Sequence, residues 1–170
     1  MPWDDVERDD ARQPVRGCQV VKIAGQKAFQ YTALDDCTRQ RVLRLYRRQN
    51  QVSSLEFFAE LPKAFHSQSA SSKMTTAPNP PAFSLSVQEA GIRHRYIRPR
   101  RPQPNGKVER SHRIDSEEFW SQREFPTVTD AAAALPEWER VYNFDRFSMA
   151  LHGLTPAEKL VTRCPAETAA

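Results

Sequence analysis

Residues 19–46 read QVVKIAGQKAFQYTALDDCTRQRVLRLY, and turn residues and alternation divide the stretch into three strands. The run 19–23 is short and apolar, 24–27 (AGQK) is a turn, and 28–34 is rich in aromatic and β-branched residues, so the two runs make a hairpin. Residues 41–46 alternate basic and apolar side chains, which suits a third strand with one face in water. Ser53 or Ser54 then caps a helix whose apolar face is Leu55, Phe57, Phe58 and Ala59, with Glu56 and Glu60 in the early turns where the helix dipole favours them. Three strands followed by a helix open an α/β or α+β domain.

Order weakens on both sides of this block. Residues 1–16 show neither helical nor strand periodicity and are expected to be disordered. Residues 66–81 (HSQSASSKMTTAPNPP) hold small polar residues, Pro and one Met; by composition they form a flexible loop that cannot supply a core strand. Thirteen Pro against five Gly is unusual, and the Pro gather at 78–81 and 99–104, which marks loops. Between them, 83–90 leads to Gly91 as a helix C-cap and 92–97 reads as a strand. Beyond Asn105-Gly106 the pattern is helical through Trp120, and 130–142 gives a second helix interrupted by Pro136. Thr155-Pro156-Ala157-Glu158 carries a full helix start, with a Thr cap, Pro at the first position and Glu three on. The 170 residues suffice for one domain, divided here into a terminus (1–16), a core (17–125) and a C-terminal helical segment with tail (126–170).

The net charge of +4 is small, but it is concentrated. Between Arg93 and Arg113 lie eight Arg and Lys, with Glu109 the only acid, while residues 4–10 are acidic. No apolar run approaches the ~20 residues of a membrane span, and the first residues lack the layout of a signal peptide, so a cytoplasmic protein, nucleoid-associated when bound to DNA, is expected. Three scattered Cys exclude a disulfide scaffold and give no zinc spacing.

Residues 31–39 (YTALDDCTR), 91–113 (GIRHRYIRPRRPQPNGKVERSHR) and the pieces Trp138-Glu139, Tyr142-Asn143, Ala150-Leu151 and 154–158 (LTPAE) together resemble an insertion-sequence transposase of the integrase type, from about residue 19 to residue 160 with 66–81 excepted. The resemblance implies an RNase H-like α/β fold, a mixed sheet flanked by helices with a C-terminal helical extension. It implies cutting and joining of double-stranded DNA by three carboxylates with Mg²⁺ or Mn²⁺, and a homo-oligomer on the DNA. Full transposases of this kind carry a helix-turn-helix ahead of the core, so the resemblance makes this chain a C-terminal part.

The chemistry is in-line displacement at phosphorus, which two metal ions about 4 Å apart assist by activating the attacking oxygen and stabilising the leaving one. Hard oxygen ligands must converge on those ions beside a basic surface. Glu109 is the acid that the motif places as catalytic residue and metal ligand, and the first strand's C-terminal end is its expected neighbour. Arg98, Arg100, Arg101, Lys107, Arg110, His112 and Arg113 are the candidate DNA contacts. In the resembling proteins the segment at Asp35 and Asp36 is mainly structural, with Thr38 hydrogen-bonding the turn and Arg39 pairing with an acid.

Two of the three carboxylates are missing. The first belongs in the first strand, where Gln19 is the nearest equivalent, and the second in a Thr-Asp-Asn-Gly-x-Glu-Phe segment, where this chain has 66–81. The codons of Met74-Thr75 necessarily contain GAC, an Asp codon, two bases out of frame, and Thr75 to Asn79 permits Asn-Gly-Thr-Glu after it. One base out of frame, Gly17-Cys18-Gln19 permits Asp-Val-Lys. The simplest account is a frameshifted reading frame, with a sheet disrupted at 66–81 and catalysis impaired. The alternatives are a natural loop replacement, a non-enzymatic DNA-binding remnant of a transposase and, on charge alone, a basic RNA-binding module.

Overall fold

The computed structural model describes residues 14–35, 37–64, 74–76, 94–96 and 106–163. Five strands form one mixed sheet in the order β3-β2-β1-β4-β5, with helices on both faces. β1 (Pro14–Ile23) and β2 (Gln26–Asp35) are an antiparallel hairpin, and β3 (Arg41–Tyr46) continues it, with Leu34 opposite Arg41 and Phe29 opposite Tyr46. The hairpin turn is tighter than the expected 24–27. Ile23 pairs with Gln26, and Ala24 and Gly25 alone form the loop with φ of 47° and 77°. Positive φ at both positions matches the right-handed twist of the strands.

Burial departs from alternation. From Ala28 on, β2 is covered on both faces, with Phe29 only partly so, because it lies between β3 and β1 beneath two helical layers. β3 does not keep its basic face wet either: Arg41 is fully buried and Arg44 half-buried. On one face, α1 (Gln51–Ala64) packs Phe57, Phe58 and Leu61 against Tyr31, Ala33 and Val42. Its cap is Asn50, not Ser53 or Ser54. The Asn50 carbonyl oxygen Oδ1 accepts from Ser53 N at 2.9 Å, and Ser53 is buried inside the first turn.

The largest correction concerns 66–81. Met74–Thr76 is a strand, β4, parallel to β1 with Thr75 level with Val15, and β5 (His94–Tyr96) is parallel to β4 in turn. The sheet therefore runs through the segment expected to disrupt it. A ladder is made by backbone groups, so a strand three residues long needs no apolar run, and Thr-Thr is β-branched. Residues 14–16, the last of the 1–16 stretch expected to be disordered, instead open β1 and pair with Asp35, Leu34 and Ala33; residues 1–13, the rest of 66–81, the 83–91 helix reading and the ends of the 92–97 strand lie outside the described residues.

On the opposite face, α2 (Gly106–Asp115) continues without a break as a π-helical turn, Ser116–Trp120. α3 (Val128–Arg140) begins at Thr127, whose Oγ1 accepts from Asp130 N at 3.1 Å, and passes into a second π-turn, Val141–Asp145. Pro136 does not interrupt α3, because Leu135 and Trp138 on either side of it are locked in a cluster with Leu43 and Phe119. A 3-10 turn at Met149–Leu151 leads to α4 (Pro156–Arg163). Its start is the reciprocal cap read from the sequence: Thr155 N donates to Glu158 Oε2 at 2.8 Å and Glu158 N to Thr155 Oγ1 at 3.2 Å.

Candidate nucleic-acid interface and catalytic corner

α2 is nearly all polar, and its inward stripe is Val108, Ser111 and Asp115. The spacing of three and four residues puts these on one helical face. Val108 packs on Leu34, and a Cβ built on Gly17 of β1 would stand 2.4 Å from Val108 Cγ1 and 2.8 Å from His112 Cε1. The start of α2 therefore crosses the N-terminal half of β1, where β2, β4 and β5 end. Glu109, one residue on, is exposed and lines the cleft on the outer side of α2. It does not lie by the C-terminal end of β1, which packs on Val128 and Ala131 of α3.

Gly17, not Gln19, is thus the β1 residue that faces this part of α2. The Gln19 amide is engaged further along, donating to Gln30 Oε1 at 2.9 Å; Gln30 Oε1 also accepts from Trp120 Nε1 at 2.6 Å. Gln30 in turn donates to Asp115 Oδ2 at 2.7 Å. Asp115 accepts as well from Trp138 Nε1 at 2.7 Å and pairs with Arg41 Nη1 at 2.7 Å, both side chains without solvent exposure. Arg41 Nη1 also donates to Ser111 Oγ at 3.0 Å, and its guanidinium lies 3.4 Å from the centre of the Tyr142 ring. Burial lowers the Arg41 pKa, while the charge of Asp115 acts the other way. This ion pair pins α2 to the sheet. The sequence reading missed it, although the spacing from Val108 to Asp115 was a signal that the acid points inward.

The other acids near the corner are committed. Asp35 holds the turn after β2, accepting from Cys37 N at 3.0 Å and Thr38 Oγ1 at 2.6 Å, as the structural reading expected. Asp36 lies outside the described residues. A two-metal site needs several converging carboxylates. Among the described residues no group of three His, Cys, Asp or Glu could hold a metal ion, and the space beside Gly17 is filled by Val108 and His112. The residues described do not fit such a site, and no reaction step is assigned to a metal here.

The outer side of α2 is different. A cleft of about 920 Å³ between it and residues 142–150 is lined by Arg39, Lys107, Arg110, Arg113 and Arg146 against Glu109, Glu117 and Glu118. Arg113 pairs with Glu117 at 2.7 Å on the surface, and Arg146 grips Glu118 through two hydrogen bonds of 2.8 and 2.6 Å. His112, grouped with these cations in the sequence, turns the other way: its Nε2 is buried without a hydrogen-bond partner, and burial lowers its pKa. One helical face separates it from Arg110 and Arg113. Arg98, Arg100 and Arg101 lie outside the described residues. Among the described residues no helix is long and apolar enough to cross a membrane.

Residues 90–156 match the family model of an integrase core domain. Among solved structures, the HTLV-2 integrase catalytic core domain in complex with magnesium is similar at a TM-score of 0.68 and 11% identity, over 86% of this chain and 94% of that one. The BIV integrase catalytic core domain is similar at a TM-score of 0.63 and 18% identity, over 89% and 96%. A chain of the simian T-cell lymphotropic virus intasome, solved with PP2A regulatory subunit B56 gamma, is similar at a TM-score of 0.66 and 16% identity; the match takes in 81% of this chain and 50% of that chain.

Proposed function

We propose that the chain, whose residues 90–156 match an integrase core domain model and whose fold is similar to that of retroviral integrase catalytic cores, binds double-stranded DNA along the outer face of α2 and, as its sequence stands, does not join strands. The observation that carries this reading is the contrast between the two sides of α2. Its outer side lines a cleft with five cations against three acids, whereas the β1 residue that its inner side meets is a glycine, which offers no ligand.

Lys107, Arg110 and Arg113 are the phosphate contacts in this reading, with Arg98, Arg100 and Arg101 assigned to the same surface from the sequence. Phosphate neutralisation releases counterions, so binding falls with salt in proportion to the number of phosphates neutralised. Replacing Lys107 or Arg110 by Ala is expected to weaken binding to all duplex sequences alike and to lower the salt slope by about one for each phosphate no longer neutralised. Unchanged slopes in both variants would make the cluster an ordinary solvated face.

In this chain Glu109 lies away from the C-terminal end of β1, its expected neighbour, so it is the candidate catalytic residue and metal ligand, and Mg²⁺ or Mn²⁺ the candidate cofactor, only of a chain with its frame restored. An isolated carboxylate holds Mg²⁺ weakly and does not position two ions. The chain is thus a DNA-binding relative of strand-transfer enzymes, able to join a homo-oligomer on DNA. Incubation with DNA and Mn²⁺ is expected to give salt-sensitive binding without cleavage; metal-dependent cleavage would overturn the impaired reading.

A further inference from the structure

Three of the large apolar side chains exposed among the described residues fall within six positions. Phe144 is 57% exposed, Phe147 69% and Met149 90%. The segment that carries them is well built. Ser148 pairs with Leu154 in an isolated bridge, Ser148 O accepts from Leu151 N and Gly153 N, and His152 and Gly153 take the left-handed conformation that closes the turn. Leu151 anchors it in the interior, and Arg146 ties its start to Glu118. A rigid loop that holds an aromatic ring and a thioether in water marks a contact surface, and Phe147 and Met149 line the same cleft as Arg110 and Arg113.

Flat apolar groups beside cations suit a nucleobase with its phosphates, because stacking on an aromatic ring and charge neutralisation act on adjacent parts of one strand. A base paired inside a duplex has no face to offer. A second copy of this chain would bring like charges together around the cleft.

We propose that this cleft seats an unpaired base of a bound DNA strand, with Phe147 and Met149 as the stacking surface and Arg110 and Arg113 on the flanking phosphates. The inference rests on the duplex-binding reading and adds to it a preference for DNA that carries an unpaired end.

Fluorescence anisotropy on the full chain tests it with three probes: a blunt duplex, the same duplex with a single-stranded thymidine tail, and the same duplex with an abasic tail. The tailed duplex is expected to bind about tenfold tighter than the blunt one, the scale of one stacked base, and the abasic tail to give no such gain. Phe147→Ala with Met149→Ala removes the gain and leaves blunt-duplex binding within about twofold, whereas Phe147→Trp keeps it. A gain that persists with the abasic tail or in the double variant overturns the inference, as does a tail that brings no gain. Sedimentation of a dimer that Phe147→Ala dissociates would assign the patch to self-association and overturn it too. Failure to bind any probe would overturn the duplex reading itself, which separates the two outcomes.

Discussion

Asn143 gives both ends of its side-chain amide to the backbone of one residue, Arg41: Oδ1 accepts from Arg41 N at 3.0 Å and Nδ2 donates to Arg41 O at 2.9 Å. Two residues along the strand, Leu43 N donates to Glu139 Oε2 at 2.7 Å. β3 ends the sheet, and an open edge exposes unpaired groups that recruit other strands. Here side chains from α3 and the π-turn stand in for the missing strand. Asn143→Leu leaves a buried donor and a buried acceptor of Arg41 without partners, and is expected to cost about 2–4 kcal/mol. Urea denaturation checks it; an unchanged midpoint would mean that water or a shifted backbone replaces the amide.

The buried pair beneath this edge predicts an asymmetry. Removing the charge of Asp115 strands a guanidinium that has no exposure, so Asp115→Asn is expected to destabilise by about 3–5 kcal/mol. Replacing both partners by apolar residues, Arg41→Met with Asp115→Leu, is expected to recover much of that stability, because neither charge is then left alone. A double variant less stable than Asp115→Asn would show that the hydrogen bonds to Gln30 and Trp138 matter more than the charge balance.

His112 adds a pH dependence whose sign is set by burial. Its folded pKa lies below the ordinary 6.5, so the unfolded chain binds more protons as pH falls past that value. The stability that the neutral imidazole contributes is complete above pH 6.5 and is lost as pH drops through the folded pKa. Asp115 opposes this shift and Arg41 reinforces it. His112→Gln, neutral throughout, is expected to flatten the stability profile just below pH 6.5 in denaturation series. Parallel profiles for the two proteins would place the acid sensitivity elsewhere.

The strands and helices were legible in the sequence wherever local chemistry decides them. The 41–46 strand follows from alternation, and the α4 start from Thr155 and Glu158. Where backbone pairing decides, the reading fell short. Met74–Thr76 has no apolar signal because its place depends on β1 and β5, which lie far away in the chain. Arg41 looked like a surface residue of an alternating strand, since its partner Asp115 is 74 positions distant. The site was half legible: the NGKVER string located Glu109 on a helix, but the sequence alone pointed to Gln19 where the helix crosses Gly17.

That crossing governs the repair experiment. Gly17→Asp needs Val108 and His112 to give way, because a Cβ at position 17 would meet Val108 at 2.4 Å, a demand that the corrected frame shares. It also supplies only one of the two absent carboxylates. Misplacement by about 1 Å costs on the order of a hundredfold in rate, so this single variant is expected to show no strand joining. β4 lies beside β1 with Thr75 level with Val15, two residues from Gly17. The out-of-frame Asp codon at Met74-Thr75 would therefore place its carboxylate-bearing residue beside position 17 in the sheet. A gene with the frame corrected across Gly17 and through 66–81 is expected to gain Mg²⁺-dependent strand joining, and Glu109→Gln in that gene to abolish it. Strand joining by the uncorrected chain that survives Glu109→Gln would show that the reaction, if any, is carried out elsewhere.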